Sequence, residues 1–440
     1  MHKSGALAAW FSGLVLFASS LSITGCGSED SSGGTPASGG SGAASGGSNS
    51  GGANTGGANT GGASAGSGGT GAGGNAGSGG SACVRTPAPA DAERVVVISH
   101  SYDANSKPAG SYETLTLQSD GTLAKTGTTF AMGRSVTGEI VFTPDGKLGF
   151  VATDDGNVGV FRVDSPTQVT VLHQGFAGNY YATKLAMSPD GSRLFVIDGE
   201  WRNIGGGIYA IDIDCNDDLT NAGLVAAGKL PQGLVFLSGN RAVVPAHDLL
   251  ASPLDQHVHL LDWSASPSVL ASAIAFGQDT PIVSNAAVTQ DEKYVLIGDN
   301  SGFSTVPNRV AVVELNGNSL KPLQELSPLE DPADLETSPF DDTALVSSGI
   351  GDALVVLSHN ASAPTAPFTH AELTYSGDPP QLPVDMVQIR RGALEGVVLV
   401  AEVTGIRKVR FQNGAPPIDQ GRFDLGAGTE NIIGAIGVTP

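Results

Sequence analysis

Oxygen-bearing side chains recur at near-equal steps along this chain. Glu139, Asn285, Asp334 and Asp385 each stand five residues ahead of a turn position, and Lys184, Gly233 and Ala435 hold the same place in three further segments. If the fold carries these positions to one point, three carboxylates and an amide oxygen meet there. That donor set suits a hard cation with oxygen ligands, so Ca2+ (or Mg2+) is the cofactor it suggests. The same residues read without a ligand are acidic loop residues in water.

Two other groups bear on chemistry. His257 and His259 alternate on one stretch, with His247 and Asp248 close by in sequence. A His-x-His pair plus a third imidazole suits a transition metal, although strand-end histidines also serve as plain surface residues. Glu200, Trp201 and Arg202 lie in a polar segment, with Tyr180 and Tyr181 leading into the same unit. An exposed Trp among charges is a binding anchor for a sugar or peptide, unless it folds back over its own unit. Nucleophile signatures are missing. Gly-x-Ser-x-Gly occurs only as Gly62-Ala-Ser-Ala-Gly66, with no strand before it and no helix after it to build an elbow. His-Glu-x-x-His and a strand-to-helix glycine loop do not occur, and Gly205-Gly-Gly207 reads as a turn.

The elements that must position these residues form a repeat. Val141-Phe-Thr-Pro-Asp-Gly146 returns as Leu185-Ala-Met-Ser-Pro-Asp-Gly191 and, degenerately, as Glu336-Thr-Ser-Pro-Phe-Asp341. The turn positions fall at Pro144, Pro189, Ser238, Gln290, Pro339, Arg390 and Pro440, a period of roughly 49 residues. Each turn is flanked by short apolar, β-branched runs, as in Leu148–Ala152 followed by Val158–Val163, and Asp-Gly between such runs is a hairpin signal. Four strands per repeat make a propeller blade. Arg94–Ile98 matches a second strand, and Asn431–Val438 matches the first strand missing before it. The expected fold is therefore all-β: a seven-bladed propeller of four-stranded antiparallel blades, closed by pairing of the C-terminal strand with the N-terminal blade. A six-bladed ring with an extra hairpin, or a two-domain β protein, is the competing arrangement.

The Pro-Asp-Gly spacing over residues 91–440 resembles the YVTN-type and lactonase-type, WD40-like seven-bladed propellers of bacteria. That resemblance implies a ligand site at one mouth of the central channel, opposite the Pro-Asp-Gly hairpins, and admits hydrolysis of a lactone. Calcium-dependent lactonase propellers carry Glu, Asn and Asp at such a mouth, though in six-bladed rings. The seven-bladed lactonase type tends to place a histidine shortly before the turn. Here Glu139-Ile-Val-Phe-Thr and Lys184-Leu-Ala-Met-Ser stand there instead. Long second-to-third-strand loops in the third to fifth blades, including 245–256 and 298–309, fall on the expected ligand face, where unequal loops give a regular scaffold a specific site.

Residues 1–25 read as a signal segment, and Ile23-Thr-Gly-Cys26 resembles the bacterial lipobox. The resemblance implies cleavage before Cys26, a diacylglycerol on its sulfur and an acyl chain such as palmitate on its amine. Gly27 in place of Asp implies sorting to the outer membrane. Residues 26–82 are almost all Gly, Ser, Ala, Asn and Thr, with too little to bury to offset chain entropy, so they are expected to form a disordered tether spanning roughly 40 Å. The propeller domain is then 83–440. Cys83 and Cys215 are either a disulfide pinning that tether or two free thiols.

Asp and Glu outnumber Lys and Arg by 43 to 22, a net charge of −21, which makes nucleic acid and anionic lipid poor partners. The expectation is a lipid-anchored, monomeric envelope protein whose propeller binds a protein or glycan on the long-loop face. The alternative is a lactonase-like hydrolase with a divalent cation at the channel mouth.

Overall fold

The computed structural model describes residues 85–135, 139–199, 206–250, 256–264, 266–277, 283–300, 308–327 and 329–440. They form seven antiparallel sheets arranged as a β-propeller. Six sheets have four strands, and the third blade carries a short fifth. The inner strands are Ile433–Val438, Ile140–Phe142, Lys184–Met187, Val235–Leu237, Val283–Val288, Pro332–Thr337 and Asp385–Gln388, from the first blade to the seventh. Closure is as expected. Ile433–Val438 lies beside Arg94–Tyr102, pairing Val96 with Val438 and Ile98 with Ile436, so the last strand supplies the inner edge of the first blade.

Burial explains why the middle strands read as continuous apolar runs. Leu148–Ala152 and Val397–Glu402 are buried along their whole length, because each blade is covered on both faces by its neighbours. Outer strands such as Leu123–Ala131 alternate between exposed and part-buried residues. The core therefore lies between blades. Val96, Leu115, Leu399 and Ile436 join the first blade to the seventh, and Leu148, Phe150, Val196 and Ile211 join the second to the third. Fully burying one such side chain stabilises by about 1.5–3 kcal/mol.

The repeated turn has a local cause. Thr143 Oγ1 donates to Asp145 Oδ1 (2.6 Å), the Gly146 amide donates back to the Thr143 carbonyl (2.8 Å), and Gly146 sits at φ +71°. Ser188, Asp190 and Gly191 repeat it, with Gly191 at φ +70°. The fifth blade hides a further copy. Thr289 Oγ1 donates to Asp291 Oδ1 (3.0 Å), and Glu292 occupies the left-handed position at φ +56°.

The chain joins the propeller on this hairpin face. Arg85 is 8% exposed; it bonds Asp145 at 3.2 Å and Asp217 at 2.8 Å, and its amide donates to the Asp190 carbonyl at 3.3 Å. Cys215 lies beside Asp217 in the same turn and is disulfide-bonded. Cys26 and Cys83 lie outside the described residues.

Candidate functional site at the channel mouth

The start of each inner strand sets the site. A strand alternates its side chains, so residues two apart share a face. Glu139, Lys184, Gly233, Asn285 and Asp334 line one end of a central cavity of about 810 Å3, one from each of five successive blades. Asp385 holds the equivalent place in the seventh. Asp334 Oδ2 accepts from the Met386 amide of the next blade (2.9 Å), and Asp385 Oδ2 accepts in the same way from the Ile436 amide (2.9 Å). The offset read from the turns thus brings the oxygen-bearing residues together.

Their bonding is specific. Asn285 Nδ2 donates to Asp334 Oδ1 (2.5 Å), which also accepts from the Leu335 amide (2.9 Å). Lys184 Nζ stands 3.6 Å from Glu139 Oε1. Burial raises the carboxyl of Glu139; Lys184 opposes this and the charge of Asp334 adds to it. Burial also raises Asp334, against Lys184 and its hydrogen-bond donors. Asp385 is held well above the usual carboxylate range by burial, then by the charges of Asp334 and Glu139.

The metal expectation is corrected here. Among the described residues no three His, Cys, Asp or Glu side chains stand close enough to hold a metal ion. Glu139, Asn285, Asp334 and Asp385 share a mouth without forming a cation cage. Lys184 already supplies positive charge beside Glu139, and Asp334 spends its lone pairs on three N–H donors. The histidine pair fails for a related reason. His259 is fully buried, its Nδ1 bonded to Ser272 Oγ (2.9 Å) and its Nε2 to the Ala246 carbonyl (3.3 Å), and burial lowers its pKa to about 4. His257 Nδ1 accepts from the Phe276 amide (3.2 Å).

The expected aromatic anchors divide. Tyr180 is 9% exposed in the core between the second and third blades, its hydroxyl donating to the Phe176 carbonyl (2.8 Å) and its ring 5.7 Å from Tyr209. It is a packing residue and has no free face to stack on a sugar. Tyr181 is half-buried against Gly156 and donates to the Asp154 carbonyl at 2.5 Å. Glu200, Trp201 and Arg202 lie outside the described residues, as do 251–255 and 301–307 of the long loops. The first part of the 245–256 loop is strapped down. Asp248–Leu249 adds a fifth strand to the third blade through Lys229 and Gly228, with Leu249 fully buried.

One channel residue escaped the sequence reading. Glu336 lies two residues beyond Asp334 on the same strand face and bonds Arg390 at 2.9 Å towards the hairpin end. Burial raises its pKa to about 7, Arg390 opposing and Asp334 and Glu139 adding to the rise. The period of two from Asp334 is the signal that finds it.

Solved structures of similar architecture include a protein from Lactobacillus plantarum (TM-score 0.59, 12% identity, 79% of this chain and 99% of that one). A candidate 6-phosphogluconolactonase from Bacteroides uniformis gives a TM-score of 0.57 at 13% identity, over 79% and 99%. The periplasmic gluconolactonase of Pseudomonas aeruginosa gives 0.56 at 15% identity, also over 79% and 99%. At these identities the likeness is one of fold. No family profile matches the chain, and no curated protein matches it in sequence.

Proposed function

We propose that this chain is an extracytoplasmic lipoprotein, anchored through Cys26, whose propeller binds a glycan or other small hydroxyl-rich ligand at the channel mouth. The observation that carries this reading is the meeting of Glu139, Lys184, Asn285 and Asp334 at one end of the cavity. These groups offer charged and neutral donors and acceptors in a lumen otherwise lined largely by residues such as Val141, Val235 and Ala287. A pocket with few convergent polar groups on an apolar wall is the usual form of a small-molecule site, and about 810 Å3 falls within the usual range. Arg85, at the start of the described chain, packs on the hairpin face, at the opposite end of the inner strands from the mouth.

Glycan-array screening of the detergent-solubilised protein, followed by calorimetry, tests the reading. Glu139→Ala and Asn285→Ala should each weaken the best ligand at least tenfold. Unchanged binding in both variants would reject the mouth as the site. Metabolic palmitate labelling that persists in Cys26→Ala would reject the anchor.

The second reading is lactone hydrolysis, suggested by the Glu139–Lys184 pair and by the gluconolactonase fold. A carboxylate of raised pKa beside an ammonium can take a proton from attacking water while the ammonium steadies the oxyanion. Opening of glucono-lactone no faster than in buffer, or unchanged in Glu139→Gln, would dismiss it.

A further inference from the structure

The chain touches three other blades before it enters the first. Arg85 holds the third blade through the Asp190 and Asp214 carbonyls and Asp217, and the second through Asp145. The Ala88 amide donates to the Pro144 carbonyl of the second blade (3.1 Å). The Ala393 amide of the seventh blade donates to Asp91 Oδ1 (3.3 Å), and a Cβ on Gly392 would run into the Ala90 carbonyl. Arg94 is 2% exposed and ties the end of this path. Its Nη1 donates to the Thr439 carbonyl (2.9 Å), and its Nη2 to the carbonyls of Ala90 (3.1 Å) and Arg391 (3.0 Å). Residues 85–93 therefore form a strap on the hairpin face, running from the third blade to the seventh past the blade that the C-terminal strand completes.

That blade holds the seam of the ring. Ile433–Val438 and Arg94–Tyr102 pair without a chain connection between them. A pull on the chain ahead of Arg94 loads this pairing unless something upstream takes it first. Cys215 is disulfide-bonded, and the chain has three cysteines, so its partner is Cys26 or Cys83. Both precede Arg85. The Arg85 guanidinium bonds Asp214 and Asp217, on either side of Cys215. Cys83 is two residues from Arg85, at most about 7 Å along the chain, whereas Cys26 lies far upstream.

We infer that Cys83 is the residue bonded to Cys215, and that this bond and the strap form a redox-dependent clamp over the seam. The bond arises by thiol–disulfide exchange: the two thiols give up two protons and two electrons to an external disulfide, which leaves as two thiols. With the bond made, a pull on the chain before Cys83 passes to the third blade and bypasses the seam. With it reduced, the same pull reaches Arg94 once the contacts of Arg85 and Asp91 give way.

Peptide mapping of the full-length protein, extracted with free thiols blocked and digested without reductant, should yield a Cys83–Cys215 cross-linked peptide. A free Cys215 or a Cys26–Cys215 peptide overturns the inference, and the second result also removes Cys26 as the anchor. The clamp is read by hydrogen–deuterium exchange of the folded protein with and without a phosphine reductant. Reduction should speed exchange of the Ala88 amide and of the Ile433–Val438 amides at least tenfold, and lower Tm by about 7 °C. Cys215→Ser should show both changes without reductant and respond no further to it. If that variant does not fold by circular dichroism, reduction of the wild type decides. Exchange at Ile433–Val438 that reduction leaves unaltered overturns the clamp even where the cross-linked peptide is found.

Discussion

Glu336 offers a measurable consequence of the crowded lumen. Its carboxyl titrates at about 7 in the fold against 4.5 for a free glutamate, because burial and the charges of Asp334 and Glu139 outweigh Arg390. Above the unfolded value the unfolded chain releases this proton while the folded chain retains it. Stability therefore falls as pH rises from about 4.5 to about 7 and levels off beyond. At about 1.4 kcal/mol per pKa unit, the full cost above pH 7 is about 3 kcal/mol. The side chain is 15% exposed, so solvent screens it little, whereas Arg390 is 64% exposed and its ion pair returns at most about 1 kcal/mol. Glu336→Gln keeps the shape and removes the charge. With unfolding entropy near 2.1 cal/mol/K per residue over roughly 350 residues, about 3 kcal/mol moves Tm by about 4 °C. Differential scanning calorimetry of wild type and variant from pH 4 to pH 8 should show matching Tm values at pH 4. The variant should rise to about 4 °C higher at pH 8. Taking the difference between the proteins removes what Glu139, Asp334 and Asp385 contribute independently of Glu336. A Tm difference that is constant across the range would refute the reasoning.

Ile436→Ala, at a side chain 2% exposed in the closing strand, should cost about 2–4 kcal/mol in urea unfolding; a change under 0.5 kcal/mol would mean the closure carries little stability. Arg85→Ala leaves Asp145 and Asp217 without their cation, and amides 88–92 should then exchange at least tenfold faster by hydrogen–deuterium exchange mass spectrometry, with little change at the mouth. His259 should remain a neutral imidazole in NMR titration down to about pH 4, since burial disfavours its charged form and outweighs the Ala246 bond, which favours it; a midpoint near 6.5 would contradict that burial.

Much of the fold and part of the site could be read from the sequence, for physical reasons that differ. Leu148–Ala152 and Val397–Glu402 are legible because blades are covered on both faces, which forces unbroken apolar runs. The Thr-Pro-Asp-Gly turn is legible because its hydroxyl–carboxylate bond and its left-handed glycine each demand a residue type. Counting back from that turn located Glu139, Asn285, Asp334 and Asp385, since each inner strand is short and equally long to its turn. Tyr180 misled because nothing in its own neighbourhood announces that Gly178, Phe176 and Tyr209 fold around it. The cation expectation misled because a donor list carries no information on spacing or on backbone competitors. Asp334 is spent on amides that belong partly to another blade. Glu336 was within reach of the strand period, but a one-residue-per-blade count stops at the mouth.

The two readings of function meet in the electrostatics of one cavity. A lactonase generates an acid, and a lumen whose burial already disfavours the charged forms of Glu139 and Asp334 disfavours a further carboxylate, which aids product release. A receptor for a neutral glycan has no such charge to accommodate. Lys184 decides how far each applies, because its ammonium stands 3.6 Å from Glu139 and lines the mouth. Replacing it with Gln keeps an N–H donor for a neutral glycan but removes the charge that would support an oxyanion. One substitution thus affects the two activities unequally. Binding of the array-selected glycan and glucono-lactone opening, measured on the same Lys184→Gln protein, separate a receptor from a hydrolase: affinity kept within about threefold with no catalytic loss to record identifies the former, and a fall in turnover the latter.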